Sequence, residues 1–246
     1  PILTFDIVEQ VSHGYKFYEI DNVIPCPGNE HLWPKGLPRS KDTKEMTYYF
    51  ARKWLDKRLT VSDRPNSDLI LAYGKGSKNP FGCFGINLWM SFRDTYWIVP
   101  DESDLKWTDW SPYTNPLNKA MSNIALSGVH YLAPYNVDRR PIITCEPTTA
   151  GTMRKCWVNK NDGIYLRKAF EYEDPDNRIP PVMEYYAAQV AEAMGIEHVP
   201  YTLLRYTHED SNVETICECK CFTTEQIGFV NAVAYIDDYY IRETGN

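Results

Sequence analysis

The chain has 246 residues, 43% hydrophobic and 14% aromatic, enough for two modest domains or one large one with a packed core. A formal net charge of −7, with basic runs no longer than pairs such as Arg139-Arg140, argues against a general nucleic-acid binder, which must neutralise phosphates with clustered cations. No apolar stretch approaches the ~20 residues that span a bilayer, so no membrane partner is expected, and the start at Pro1 carries no signal-like apolar core.

In chain order, Ile2 to Tyr18 reads as strand-like. Lys44 to Arg58 reads as a helix with Met46, Tyr49, Phe50, Trp54 and Leu55 on its apolar side. Gly74-Lys75-Gly76 has the wrong spacing for a dinucleotide fingerprint and reads as an exposed loop. Tyr96 to Val99 predicts a short strand, and Leu117 to Leu126 a short helix. Between them, Trp107, Trp110 and Tyr113 with Pro112 and Pro116 read as a packed, irregular connection. The proline-marked stretch Pro134 to Pro147 divides the chain into an N-terminal domain, residues 1–133, and a second domain, residues 134–246.

The second domain is the more patterned. A small-residue loop, Thr148 to Lys155, leads into a hairpin that ends Gly163-Ile164-Tyr165-Leu166-Arg167-Lys168. Strand alternation puts Ile164, Leu166 and Lys168 on one face. A lysine there either snorkels to solvent or needs an anionic partner, because an unpaired buried charge is very costly. Phosphate under a loop rich in backbone N–H groups would be one such partner. Val182 to Met194 reads as an amphipathic helix, opened by Pro181 and stopped by Gly195. Val199 to Tyr206 and Val213 to Lys220 read as two strands joined by a polar turn.

Seven cysteines, an odd number without framework spacing, point to a reducing cytoplasm and free thiols. Cys217, Cys219 and Cys221 alternate onto one strand face, but no fourth ligand at zinc-site spacing accompanies them, and they read as structural. The five histidines are scattered, none in a metal-binding pair, and no G-x-S-x-G elbow occurs. No metal site is expected.

The order of loop, hairpin, helix and two strands from Pro147 to Val230 resembles the HipA-type serine/threonine kinases. It is closer still to HipA-like proteins of Gram-positive bacteria and their mobile elements. The resemblance rests on Thr148 to Lys155, Gly163 to Lys168, Met183-Glu184-Tyr185-Tyr186, Met194 to Tyr201 and Cys219-Lys220-Cys221-Phe222-Thr223-Thr224-Glu225. Upstream, Trp54 to Arg58, Ser91 to Ile98 and Leu105 to Asp109 are similar to the leading segment of those proteins. The fold expected is therefore α+β: an N-terminal α/β domain followed by a kinase-like small lobe, a twisted antiparallel sheet with one helix.

What the resemblance implies is ATP binding with magnesium, and phosphoryl transfer to a serine or threonine of a protein substrate. Lys168 would contact the phosphates, with Lys155 a second candidate, and Thr148, Thr149, Gly151 and Thr152 would cover them with backbone N–H groups. Cys219 and Cys221 would form the hinge that meets adenine through backbone groups. Glu184 falls where a kinase places the glutamate that pairs with its phosphate-binding lysine. The helical wheel argues otherwise, since Glu184 lies nearly opposite a stripe centred on Val182, Val190 and Ala193.

One departure from the family pattern bears on activity. A kinase needs a base-positioning aspartate, a following asparagine and a metal-binding aspartate after the hinge. Asp237 and Asp238 sit in no H-R-D or D-F-G context. Residues 1–246 alone are therefore expected to transfer no phosphoryl group. Two classes of function stay open: the ATP-binding part of a kinase, or a non-catalytic module that keeps the small-lobe shape for protein contact or regulation.

Overall fold

Eleven regular elements and a 3-10 turn are defined in the computed structural model, which describes residues 2–12, 14–29, 32–34, 54–55, 58, 64–75, 82–128, 140–170, 180–208, 211, 213–233, 235–236 and 239. Chain contacts group Pro1–Leu59 with Phe229–Asn246 in one unit and Thr60–Gly228 in another. The division expected near residue 134 falls inside the second unit, because a helix from before that point packs on a strand from after it.

In the first unit, β1 (Leu3–Ser12) and β2 (Tyr15–Pro25) form an antiparallel hairpin. The strand expectation for Ile2 to Tyr18 resolves into two strands, reversed at Gly14 with φ +80°. A β-bulge lies where the register steps from Thr4↔Ile24 to Asp6↔Asp21, at Asn22 with φ +49°. Of the helix expected over Lys44 to Arg58, Trp54 and Leu55 are helical. Met46, Tyr49 and Phe50 lie outside the described residues.

The second unit opens with four short helices, α1 (Ser67–Lys75), α2 (Gly82–Asn87), α3 (Trp107–Trp110) and α4 (Lys119–Ser127). Gly74 and Lys75 close α1 and are not the loop expected of them, and Gly76 lies outside the described residues. The predicted strand Tyr96 to Val99 is absent: the Asp94 carboxylate accepts from Tyr96 N–H at 3.0 Å, and that local turn competes with a ladder. Helix α4 was legible. Asn118 caps it by accepting from Met121 N–H at 2.9 Å, and Gly128 ends it in the left-handed conformation. Its Met121, Ile124, Ala125 and Leu126 are buried, and it packs on the first strand of the following sheet.

After the 3-10 turn Glu146–Thr148 come β3 (Arg154–Lys160), β4 (Gly163–Ala169), α5 (Pro180–Ala193), β5 (Tyr201–Thr207) and β6 (Val213–Lys220). The four strands make one antiparallel sheet in the order β3-β4-β6-β5. With its helices, the chain is α+β. Leu88, Met90, Phe92, Leu117, Cys145 and Ile164 form a buried cluster, with Trp97, Trp107, Trp110 and Tyr113 packed against it. The aromatic segment is thus packed, as its composition suggests.

One turn in this core is unusual. Leu88 and Trp89, both buried, have φ +53° and +54°. Bulky side chains in the left-handed region cost energy unless neighbours impose it. Asn87 imposes it here: its side-chain amide donates to Met90 O at 3.0 Å and Thr144 O at 2.9 Å, while its oxygen accepts from Trp89 N–H at 3.1 Å. The turn presents Met90 O to the Thr148 hydroxyl, 2.5 Å away. A strained core turn therefore anchors the base of the small-residue loop.

Candidate functional site

Residues opposite one another in an antiparallel ladder point to the same face. The register Lys155↔Lys168, Trp157↔Leu166, Lys168↔Cys217 and Leu203↔Cys217 gathers those side chains on one face of the sheet, with Tyr201 and Cys219 beside them. Helix α5 packs on β4, β5 and β6. The Lys168 ammonium donates to Glu184 Oε1 and to the Tyr201 hydroxyl, each at 2.7 Å. Its side chain is 13% exposed, so it does not snorkel. Lys168 shares the face of Ile164 and Leu166 as alternation requires, and its anionic partner in this structure is the chain's own Glu184.

That pairing corrects the helical-wheel expectation. Val190 is 57% exposed and Ala193 is exposed, whereas Ala188 is buried and Glu184 half-buried. Helix α5 is apolar on both sides, so hydrophobicity alone does not orient it. Leaving a valine in water forgoes roughly 1.5–3 kcal/mol, and a buried ammonium without a partner costs more. The carboxylate side therefore turns to the sheet.

Lys155 sits directly across the ladder from Lys168. Its amine donates to Ala150 O at 2.8 Å. Burial, with the nearby Arg64 and Lys168 cations, pulls the amine down to about 8 against the opposing pull of Glu184 and Glu146. Gly151 is exposed with φ +99°, and a Cβ there would stand 2.6 Å from Lys155 Nζ. The positive φ favours glycine there, and any larger residue would also displace the Lys155 amine.

The loop residues divide by role. Thr148 is buried, its hydroxyl bonded to Met90 O and Cys145 O and its N–H to Cys145 O. The Thr149 hydroxyl donates to Cys145 O and accepts from Trp157 Nε1–H, and its N–H goes to Glu146 O. These two threonines therefore scaffold the loop, and their N–H groups are not the phosphate cover expected of them. Among the described residues, the N–H groups of Ala150, Gly151 and Thr152 have no hydrogen-bond partner, and Gly151 and Thr152 are exposed. The loop thus carries three unpaired donors, and its base carries two lysines that face each other across the ladder.

The hinge residues fare differently. Cys219 lies in interior strand β6, opposite both Leu166 and Tyr201, and Cys221 N–H donates to Ile164 O at 2.8 Å. The Cys221 N–H is thus not available to an adenine, because the ladder continues one residue past the strand end. Burial pushes the Cys217 thiol up to about 12 and raises Cys219 as well, so neither is a thiolate near neutral pH. Among the described residues, no group of three or more His, Cys, Asp or Glu could hold a metal ion. The described residues thus supply no cluster of three such side chains for magnesium. Asp237 and Asp238 lie outside the described residues.

Three sequence segments far apart in the chain meet beyond β6. The Thr223 hydroxyl donates to Phe92 O at 2.5 Å and accepts from the Tyr113 hydroxyl at 3.2 Å. Glu225 Oε1 accepts from Trp107 Nε1–H at 2.9 Å and from the Ser111 hydroxyl at 2.6 Å. The segments Ser91 to Ile98, Leu105 to Asp109 and Cys219 to Glu225 are thus neighbours in space.

Sequence reasoning missed Arg64 and Glu146, both buried at the base of the loop. Glu146 Oε2 lies 3.3 Å from Arg64 Nη2, and Glu146 Oε1 accepts from Trp157 N–H at 2.7 Å. Burial raises the Glu146 carboxyl, and the guanidinium opposes that rise. No periodic pattern marks either residue, and 82 positions separate them. No family model, curated protein or solved structure matches the chain.

Proposed function

We propose that the unit Thr60–Gly228 binds the phosphates of ATP as the small lobe of a HipA-like serine/threonine kinase, in which phosphoryl transfer to a protein substrate requires residues beyond this set. The observation that carries this reading is the Lys168–Glu184 contact at 2.7 Å, made from the second strand of a hairpin to the helix that follows it. A kinase small lobe holds its phosphate-binding lysine with a helix glutamate in this way. Lys155 beside Lys168, and the unspent N–H groups of residues 150–152, add the remaining donors.

In this reading Glu184 orients the Lys168 ammonium, which contributes a point charge to the phosphate oxygens. Lys155 supplies a second charge, and the loop N–H groups supply directional hydrogen bonds. ATP, when bound, supplies the transferable phosphoryl group.

The test is calorimetric titration of the wild-type chain and of Lys168→Ala with ATP, and separately with adenosine. Removing the charge-assisted contact should weaken ATP by ~1–3 kcal/mol and leave adenosine unchanged. A folded wild-type chain that binds no ATP would overturn the reading.

A second reading, a non-catalytic protein-contact or regulatory module of the same shape, has one observation in its favour. Met183, Tyr186, Val190 and Met194 form an exposed apolar stripe along the outer side of α5. Contiguous apolar surface of this kind marks contact sites. Loss of ATP binding with retained fold would leave this reading standing.

A further inference from the structure

The carbonyls around the small-residue loop share one unusual neighbour. Arg64, 0% exposed at its side chain, donates from Nη1 to Glu146 O at 2.5 Å and to Thr149 O at 3.3 Å. Its Nη2 donates to Lys155 O at 2.8 Å and to Glu146 Oε2 at 3.3 Å. One guanidinium thus ties together the segment entering the loop and the strand leaving it. Glu146 completes the circuit by accepting from Trp157 N–H. A planar fork with fixed donor directions can do this; a single ammonium cannot.

The consequence follows from peptide geometry. A trans peptide holds its C=O and N–H in opposite directions. Because Thr149 O turns inward to Arg64, the Ala150 N–H of the same peptide turns away from it. Because Ala150 O turns to the Lys155 amine, the Gly151 N–H turns away in its turn. Two cations at the loop's base therefore draw carbonyl oxygens in and leave successive amide donors facing out. Without them, those peptides could rotate and present oxygen to an incoming anion.

We propose that Arg64 is a positioning residue: it fixes the peptide orientations of the Thr149–Lys155 loop and so gives the site its preference for phosphate, without touching the ligand. The preference for phosphate rests on the function proposed above; the fixing of the loop does not.

The experiment compares wild type with Arg64→Lys, which keeps the charge and loses the fork. Amide hydrogen exchange is read without ligand at Thr149 and Trp157, against Ile216 and Cys217 in the sheet interior. ATP and adenosine affinities are read by calorimetry. Arg64→Lys should speed exchange at Thr149 and Trp157 by about tenfold or more while the sheet interior keeps its protection. It should also weaken ATP by about tenfold and leave adenosine unchanged.

Unchanged exchange at Thr149 and Trp157 would overturn the proposal. So would an equal loss of protection across loop and sheet, which would make Arg64 a general support of the fold. If wild type binds no ATP, the functional reading falls and the exchange comparison alone decides whether Arg64 fixes the loop. If Arg64→Lys fails to fold, Arg64→Gln takes its place, since it keeps a neutral amide donor and loses the fork that reaches the three carbonyls. Faster exchange at Trp157 with a protected sheet interior supports the circuit, and no change there overturns it.

Discussion

Two lysines standing opposite each other on one sheet face make the site's charge state depend on pH. Burial draws the Lys155 amine down to about 8, close enough to neutrality to titrate in ordinary buffers. Its pKa is depressed because burial, then Arg64 and Lys168, disfavour the ammonium. An anion binds the ammonium and not the neutral amine, so binding is strongest below about 8 and weakens as pH rises through that value. Each unit above it should lower ATP affinity by about tenfold, until the pKa of the bound form is reached. Titrations at pH 7 and pH 9 check this. An affinity constant across that window would mean that Lys155 does not meet the ligand. At this scale the sequence was legible in part: alternation placed Lys168 on the correct face. The Arg64–Glu146 contact was not legible, because only the closed fold brings those residues together.

Among the elements, the hairpin β3–β4, helix α5 and strand β6 were readable from periodicity and from the punctuation at Pro181 and Gly195. The orientation of α5 was not. Its apolar residues cover two sides, and the choice between them depended on a lysine in a different element. Ala188 faces the sheet and Val190 faces away. Ala188→Leu should therefore overpack the interface and cost about 1–3 kcal/mol. Val190→Gln should change stability by no more than about 0.5 kcal/mol. Urea denaturation of both variants reads the difference, and the reverse order would mean the helix is turned the other way. The short strand expected at Tyr96 to Val99 failed for a related reason: an Asp94 side chain satisfied a backbone donor that a ladder would have used.

For the molecule as a whole, the closeness of Phe92, Trp107, Tyr113 and the segment Thr223 to Glu225 explains why a boundary near residue 134 divides what folds together. Composition shifts mark exposed chain, but they cannot reveal which segments return to each other. The opposed pair Lys155 and Lys168 has a consequence for the entire unit. Like charges directly across a ladder weaken it, and Glu184 is the carboxylate bonded to Lys168 there. The ligand-free sheet is thus held below the stability it would have with that repulsion relieved, and a bound polyanion acts as a missing strut. At a hundred times its dissociation constant, a ligand of the native state adds about 2.7 kcal/mol. For a unit of this size that raises the melting midpoint by about 5–10 °C. Inorganic tripolyphosphate should produce much of the same rise and adenosine almost none, so a thermal scan reads the frustration built into this sheet as the heat tolerance its ligand confers.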